Sequence, residues 1–511
     1  MKRSVLAVLS IILLVSAAAR LLVFMELDEL LPQTGLYVDE KTFSISPFSE
    51  ESRGFSRPPG MFLASMVLNT EENTVASRVL MSAVSLLPAA ALFLALRKRQ
   101  GAAKFFFTAG LALSPFMILY GFQLMAAAAA AALISFSLLF AVKERFLLAG
   151  FLAGIAALFR AELLLVPVFL FLLTFRKYLH EWLRFALAAA AAVVPVMVLN
   201  LAWGAGPVIS TNGAENLWIG SDWELLTTPP GVEFEELVSL GTSTSGPDLT
   251  FLERAWTNIS SDPAEWLDMG LSKLGAFFTL PGPGRNLENG WILSQTGLKY
   301  LLLLPLAAMS LALAGLFRRG KEFWQLAAVS IILTGAVSAF VFFPSARFRT
   351  AVLPGFWFLA AWAFQERKYL ALSLVPAAII VLMSLTLTYH GMERSGLTST
   401  LASQHFLDEG DLRSSALYLE EAEDRGYWGA DLHNIRGALI SLAGNPARGL
   451  EEFRRALEIA PDSPTLWKNL SVSLWSNGLY SESVHAARRA VNLNPALREQ
   501  LEPILREGEN I

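Results

Sequence analysis

Apolar segments with about the length of a membrane span recur along most of this chain. A helix needs about 20 apolar residues to cross a bilayer. The 511 residues are 54% hydrophobic and only 16% charged, whereas about 25% of residues in a soluble chain are charged. These features predict an all-α fold built on a polytopic membrane bundle. The segments are residues 4–24, 76–96, 102–120, 122–142, 146–175, 185–203, 291–317, 323–343, 350–364 and 369–388.

Lysine and arginine cluster between alternate apolar segments. Because such clusters face the cytoplasm, the pattern predicts about eleven crossings of the inner membrane, with the N-terminus inside and the C-terminus outside. Segment 4–24 is then an uncleaved first span. Segment 350–364 is short, and without it the C-terminus would lie inside. The clusters are Lys2-Arg3, Arg97-Lys98-Arg99 with Lys104, Lys143 with Arg145, Arg176-Lys177 with Arg184, Arg318-Arg319 with Lys321, and Arg367-Lys368.

Segment 146–175 is too long for one ordinary span and carries Arg160 and Glu162 in its middle. It forms either two short helices that meet at this pair or one tilted helix. The predicted count of crossings needs the segment to go out and return.

Two long loops lie outside in this topology, at residues about 25–75 and 204–290, within a membrane domain of residues 1–390. The second loop is dense in glycine, asparagine and proline, which predicts ordered turns rather than regular structure. It also contains an acidic, helix-like stretch around residues 251–271. The apolar run 59–68 begins with proline, which suits a helix N-terminus. It either lies along the membrane interface or extends the second span.

The last part of the chain, residues 397–511, contains an internal repeat. Glycine, alanine and proline recur there with a period of 34 residues, which is the tetratricopeptide signature. The predicted domain is a stack of helix pairs that captures a protein partner or acceptor. The repeated positions are Gly410, Gly444 and Gly478, then Ala422, Ala456 and Ala490, then Pro461 and Pro495.

The first outer loop contains an adjacent acid pair, Asp39-Glu40. Charge at a membrane boundary is expensive unless it serves a site. Transfer of a sugar from a phosphate-linked donor needs a base for the acceptor proton and cations for the leaving phosphate. Asp39 is therefore the candidate base, and the structural alternative is a helix N-cap.

Several short motifs, in a fixed order, resemble those of the GT-C membrane glycosyltransferases. Within that class the sequence is most similar to protein O-mannosyltransferase-like enzymes and the aminoarabinose transferase of lipid A. The Asn-Gly…Trp-Ile-Gly loop and the trailing repeats resemble a bacterial and archaeal subgroup. The motifs are Arg20 in the first span, Asp39-Glu40, Pro58-Pro59, SPFMILY at 114–120, GFLAGIAALFR at 150–160 and SARFRTAVLP at 345–354.

The resemblance implies that Asp39 is the catalytic carboxylate, with Glu40 beside it. The donor would be a polyprenyl-phosphate sugar, and the acceptor a protein or a lipid or glycan on the extracytoplasmic side. Two positions depart from the family pattern. Gln123 stands near the place of a second acid, and Phe43 replaces a frequent tyrosine.

Arginines near the outer ends of the predicted spans are candidates for binding the donor phosphate, because guanidinium groups bind phosphate bidentately and stay charged. The alternative is that they extend toward lipid headgroups. For Arg160, an internal ion pair with Glu162 is a further alternative. The candidates are Arg57, Arg160, Arg347 and Arg349.

The second outer loop offers polar and aromatic side chains for a sugar. Asn212, Glu215 and Asn216 are candidates for contacts with sugar hydroxyls. Trp218 or Trp223 would stack on a ring, unless both belong to the aromatic belt at the membrane interface.

Composition and motifs narrow the other classes. The net charge of −4 argues against nucleic acid, and the absence of cysteine excludes disulfides and thiolate metal sites. No His/Asp/Glu cluster has metal-ligand spacing, and no nucleotide-binding glycine motif follows a strand. The alternatives are an enzyme of the O-antigen ligase or polymerase type, and a non-catalytic membrane anchor that displays the repeats.

Overall fold

The structure is a computed structural model that describes residues 3–30, 55, 57–68, 70, 72–96, 102–228, 231–244, 250–280, 288–317, 321–386 and 395–507. All regular elements in these ranges are helices. The helices of the membrane part are α1 (Arg3–Leu30), α2 (Pro59–Leu68), α3 (Thr74–Val84), α4 (Leu87–Ala95), α5 (Ala102–Ala112), α6 (Pro115–Phe122), α7 (Ala126–Val142), α8 (Phe146–Phe159), α9 (Leu165–Thr174) and α10 (Leu179–Ala202).

Among the described residues, seven helical stretches are long and apolar enough to cross a membrane. They are Ala7–Asp28, Thr74–Ala95, Ala103–Phe122, Leu179–Ala202, Gly297–Gly315, Phe323–Val341 and Lys368–Thr386. Four shorter apolar helices accompany them: Pro59–Leu68, Ala126–Val142, Phe146–Phe159 and Ala161–Thr174. The chain is therefore a helical, multi-pass membrane protein, and the number of about eleven crossings stays a prediction.

The second half of the bundle surrounds one buried helix. Its helices are α16 (Asn289–Gln295), α17 (Leu303–Gly315), α18 (Phe323–Val341), α19 (Ala346–Ala363), α20 (Arg367–Leu372) and α21 (Leu374–Thr386). Helix α19 packs against α7, α17 and α18, and its residues from 349 to 363 are all buried. The predicted short segment 350–364 is thus the later part of a longer helix, which places Arg347 and Arg349 in its first turns.

The long segment 146–175 is two helices, so the first of the two sequence interpretations is confirmed. Helix α8 ends at Phe159, and Arg160 is extended, with φ −141° and ψ 98°. A 3-10 turn, Ala161–Leu164, leads into α9. The charged pair therefore marks the break between the helices.

Helix α2 is separate from the second span and packs on the end of α8. A Cβ at Gly60 would lie 2.7 Å from the ring of Phe159. Met61 is buried beside Leu124, at the connection between α6 and α7. The segment therefore does not extend the second span, and it brings the chain around Arg57 next to the break at Arg160.

The basic segments meet at one end of the bundle. The ring of Phe146 lies 4.7 Å from that of Phe323, between centroids, and the Tyr178 hydroxyl donates to the carbonyl of Lys321. Each of these residues belongs to a lysine and arginine cluster or lies within two residues of one, and three different clusters are represented. The basic residues concerned are Lys143, Arg145, Arg176, Lys177 and Lys321.

The outer loops meet elsewhere, at what we call the loop end. The amide of Phe55 donates to Oδ1 of Asn200 (2.8 Å), and its carbonyl accepts from the amide of Thr211 (2.9 Å). The amide of Gly297 donates to the carboxylate of Glu26 near the end of α1 (3.0 Å). One end of the first outer loop, near Glu26, thus contacts the start of a later span. The other end, at Phe55, contacts the second outer loop.

The second outer loop is largely helical, so the prediction of turns without regular structure is wrong for its first part, while the helix-like stretch around residues 251–271 is confirmed. Its turn-favouring residues start helices: Asp222 and Asp262 accept hydrogen bonds from the first turns of their helices, and Thr250 forms a capping box with Glu253. The helices are α11 (Gly213–Gly220), α12 (Trp223–Thr227), α13 (Val232–Thr244), α14 (Phe251–Ser261) and α15 (Pro263–Phe278).

The C-terminal part is a series of helix pairs with the predicted period. The helices are α22 (Leu397–Asp408), α23 (Leu412–Asp424), α24 (Ala430–Leu442), α25 (Pro446–Ile459), α26 (Pro464–Ser476), α27 (Tyr480–Leu493) and α28 (Arg498–Glu507). The repeated glycines Gly410, Gly444 and Gly478 all have positive φ, at 78°, 96° and 75°. Each one allows the tight turn inside a pair, while the tetratricopeptide assignment stays a prediction.

Glutamates from the membrane part dock this repeat domain. Glu288 accepts hydrogen bonds from the amides of Gly396 (3.1 Å) and Thr398 (2.9 Å) at the start of α22. Arg425 pairs with the same carboxylate at 2.8 Å. The first pair of helices is therefore held on the loop end of the bundle.

The second and third pairs are docked in the same way by α13. Glu233 accepts from the amide of Ala430 (3.0 Å) at the start of α24, and Glu236 accepts from the amide of Asp462 (2.7 Å) just before α26. The N-terminus of the first helix of every pair thus has a carboxylate partner from outside the repeat domain, which suits the positive end of a helix dipole.

Candidate functional site

Asp39 and Glu40 lie outside the described residues, so their catalytic role stays a prediction. The described chain stops at Leu30, at the end of α1, and resumes at Phe55. Phe55 is bonded to the second outer loop. The site is therefore built here from the residues that the structure places around this gap.

Arg57 and Glu215 come together from the two outer loops. Burial lowers the pKa of Arg57, and the nearby carboxylate of Glu215 acts in the opposite direction. Both residues are partly buried. One predicted phosphate ligand is thus placed beside one predicted sugar ligand.

Arg160 and Arg347 both pack on the ring of Phe348. The guanidinium carbon lies 4.1 Å from the ring centroid for Arg160 and 5.4 Å for Arg347. Arg160 also forms a salt bridge of 2.6 Å with Glu162, so the predicted ion pair is confirmed. Cation–π packing orients both guanidinium groups, and the edge of Arg160 formed by Nε and Nη2 contacts Glu162.

Helix α19 begins beside these arginines. Ser345 is its N-cap, and its hydroxyl accepts from the amide of Arg347. A helix N-terminus carries partial positive charge and attracts anions. The start of α19 therefore adds to the positive potential of Arg160 and Arg347.

Arg349 is placed differently from the other arginines. It is buried at 1% exposure, and its Nη1 donates to the carbonyls of Phe277 (3.0 Å) and Thr279. These carbonyls end helix α15. The contacts favour a role for Arg349 in bracing α15 against α19, and its contact with phosphate stays a prediction.

Tyr120 and Asn289 form a buried polar pair next to Arg349. The amide nitrogen of Asn289 donates to the Tyr120 hydroxyl at 2.8 Å. The guanidinium carbon of Arg349 lies 4.5 Å from the ring centroid of Phe116, one turn before Tyr120 on α6. Neither member of this pair was a site candidate from the sequence, although Tyr120 ends the SPFMILY motif.

The polar candidates of the second loop lie at the start of α11. Asn212 is its N-cap residue, and Glu215 and Asn216 lie in its first turn. All three are partly buried. Contacts of Asn212 and Asn216 with a sugar stay predictions.

The two tryptophans of this loop differ in exposure. Trp218 is 4% exposed and stacks on Phe251 at 5.5 Å between centroids, with Arg254 also against its ring. Trp223 is 48% exposed. Trp218 therefore belongs to the core of the loop, and Trp223 is the one with a ring surface open to a ligand.

Lys273 is a buried cation that sequence reasoning missed. Its Nζ donates to the carbonyls of Gly220 (2.7 Å), Phe342 (3.1 Å) and Val341 (3.4 Å), where α11 and α18 end. Burial lowers its pKa to about 7. A single lysine in the apolar stretch 267–278 was the available signal. Lys273 therefore joins the second outer loop to the end of α18 in the bundle.

The described site is richer in cations than in anions. Three arginines, Arg57, Arg160 and Arg347, stand with two carboxylates, Glu162 and Glu215. Within the described part of the chain, no group of three or more His, Cys, Asp or Glu side chains is placed to hold a metal ion. The arrangement suits binding of a phosphate by guanidinium groups.

No protein-family model matches the sequence, and no curated protein is detectably similar to it. Among solved structures, the crystal structure of ArnT from Cupriavidus metallidurans bound to undecaprenyl phosphate is similar at 17% sequence identity, with a TM-score of 0.40. The similarity covers 89% of this chain and 80% of that one. At this TM-score it assigns neither the fold nor the activity of the chain.

Proposed function

We propose that this protein is a membrane glycosyltransferase that takes a sugar from a polyprenyl-phosphate donor. The observation that carries the proposal is the placement of Arg160 and Arg347 against Phe348, at the start of α19 and at the end of an apolar bundle. Such a site can bind a phosphate while the polyprenyl chain lies along apolar helices. The acceptor would be a protein, a lipid or a glycan outside the cytoplasm.

The proposed reaction is a single displacement. The carboxylate of Asp39 takes the proton of the acceptor hydroxyl, and the acceptor oxygen bonds to the anomeric carbon. The bond from that carbon to the phosphate oxygen breaks, and the electron pair leaves with the polyprenyl phosphate. Arg160 and Arg347 stabilise the charge that develops on the phosphate. The configuration at the anomeric carbon inverts.

The repeat domain would bring the acceptor or a partner to this site. Its docking by Glu288, Glu233 and Glu236 holds it at the loop end of the bundle. A concave stack of helix pairs is a common peptide- and protein-binding surface. This arrangement supports acceptor capture next to the outer loops.

The first prediction tests Asp39 without knowledge of the acceptor. Glycoproteins and glycolipids are compared by mass spectrometry between a deletion strain and strains that produce wild-type protein, Asp39→Asn or Glu51→Gln. Loss of a general base typically lowers a rate by about 10²–10⁴. Asp39→Asn should therefore match the deletion strain, and Glu51→Gln, an acid of the same loop, should match wild type.

Equal amounts of the three proteins in the membrane are required for this comparison. A product that disappears in the deletion strain and is made normally by Asp39→Asn would refute the role of Asp39. Identical glycan profiles for the deletion strain and wild type would refute the transferase itself.

A further inference from the structure

Within the described residues, Asn289 presents a buried hydrogen-bond acceptor without a partner. The residue is 0% exposed. Its Nδ2 donates to the Tyr120 hydroxyl, whereas its Oδ1 has no hydrogen-bond partner within the described part of the chain. A buried polar atom without a partner costs about 1–3 kcal/mol.

The surroundings of Asn289 indicate which kind of ligand supplies the missing donor. Tyr120, the partner of Asn289, lies one turn after Phe116. The guanidinium of Arg349 packs against the ring of Phe116. Arg349 and Arg347, a ligand of the proposed phosphate site, both lie in the first turns of α19, on different sides of the helix because they are two residues apart. In the proposed function, the group next to the donor phosphate at the start of α19 is the transferred sugar, and its hydroxyls are hydrogen-bond donors.

We propose that Oδ1 of Asn289 accepts a hydrogen bond from a hydroxyl of the donor sugar while the sugar is still linked to polyprenyl phosphate. The inference rests on the proposed function and adds a residue that selects the sugar. A site built to bond a hydroxyl discriminates against the analogue that lacks it, because the buried polar group is then left unpaired.

Glu288 is the positioning residue for Asn289. It precedes Asn289 directly, is 4% exposed, and is held by the amides of Gly396 and Thr398 and by Arg425. The guanidinium of Arg425 lies 3.5 Å from the ring centroid of Trp291 in the same short helix. The repeat domain therefore fixes the backbone from which Asn289 reaches Tyr120.

The test measures donor binding and does not need the acceptor. Farnesyl-phosphate esters of glucose, mannose and galactose are titrated against the purified full-length protein, followed by the monodeoxy analogues of the sugar that binds best. The variants are Asn289→Leu, Asn289→Asp and the control Asn258→Leu. Asn258 is a partly buried amide of the second loop that contacts Ser221.

In wild type, one deoxy analogue should bind about tenfold more weakly than the parent sugar. Asn289→Leu should weaken the parent by a similar factor and bind parent and analogue equally. Asn289→Asp keeps the acceptor oxygen and should retain the preference, as should Asn258→Leu. A preference that survives in Asn289→Leu would overturn the proposal, as would a wild type that binds all analogues equally.

Failure of the proposed function gives a different result, because the wild type would then bind none of the farnesyl-phosphate sugars. Glu288→Gln tests the positioning role in the same assay. It should weaken the parent sugar and leave the deoxy analogue unchanged, since only the parent makes the Asn289 contact. Equal weakening of both would show that Glu288 serves the fold alone.

Discussion

At the residue scale, the four candidate arginines looked alike in the sequence, and their partners separate them. Arg57 lies near the carboxylate of Glu215, and Arg160 forms a salt bridge with Glu162. Nη1 of Arg349 instead donates to two backbone carbonyls. Except for Glu162, these partners come from segments at least 70 residues away in the chain. Spacing and composition could therefore identify the positive residues but could not show which of them contact carboxylates and which contact backbone carbonyls.

Substitution of Arg347 should distinguish phosphate binding from a contact with lipid headgroups. If Arg347 binds the donor phosphate, Arg347→Gln should raise the apparent KM for the donor about tenfold or more. Arg347→Lys should restore binding only in part, because lysine lacks the planar fork. Donor-dependent transfer by purified variants in liposomes measures both.

Arg349→Lys is the comparison variant, because Arg349 lies in the same helix and its Nη1 donates to two backbone carbonyls. Arg349→Lys should lower the melting temperature clearly and change the apparent KM for the donor only slightly. Full rescue of Arg347 by lysine, with a nearly silent glutamine variant, would favour the headgroup contact and remove Arg347 from the site.

At the element scale, the length of the apolar segments predicted the bundle, and the 34-residue period predicted the helix pairs. The first part of the second outer loop was predicted as turns and is helical. Asp222, Thr250 and Asp262 are residues typical of turns, and each begins a helix. Segment 350–364 looked weak because it is short, whereas the helix begins earlier, at Ala346, and includes two arginines in its first turns. Local residue preference was a sound guide where a segment stands alone and a poor one where packing decides.

Helix α13 should hold the repeat domain more tightly as the pH falls. Burial raises the pKa of Glu236, and the nearby Asp462 and Glu233 carboxylates raise it further, although the Asp462 amide opposes them. A carboxyl whose pKa is higher when docked binds more protons in the docked state. Docking therefore weakens as the pH rises from about 4.5 through the raised pKa.

Hydrogen exchange at the amides of α13 and of residues 462, 463, 465 and 466 measures this docking. Protection should increase between neutral pH and about pH 5, after correction for intrinsic rates. Glu236→Gln keeps an oxygen acceptor for the Asp462 amide and cannot ionise, so it should remove the dependence. A steep dependence that persists in Glu236→Gln would show that another group controls the contact.

At the scale of the whole molecule, the contacts divide the protein into a basic end and a loop end. At the basic end, ring contacts of Phe323 with Phe146 and Tyr178 join the basic segments. At the loop end, hydrogen bonds of Phe55, Glu288 and α13 join the outer loops and the repeat domain. The sequence predicted that the loops and the repeats share one side, and their direct contacts now supply a physical reason. The number of crossings does not enter that argument.

The last prediction concerns which end faces the cytoplasm. Lys/Arg-rich ends stay inside, so the basic end should be cytoplasmic and the loop end outside. The chain contains no cysteine, and a single introduced thiol therefore reports one position without background. Asp424→Cys lies on the exposed surface of the repeat domain, and Lys143→Cys lies on the exposed turn between α7 and α8.

A membrane-impermeant maleimide should label Asp424→Cys in intact spheroplasts and Lys143→Cys only after the membrane is permeabilised. The two variants control for each other, since the same cells and reagent are used. Because the loop end carries the repeat domain and surrounds the proposed phosphate site, this result would put the acceptor, the domain that captures it and the chemistry in one compartment. Labelling of Lys143→Cys alone in intact spheroplasts would reverse the orientation and place the proposed reaction in the cytoplasm.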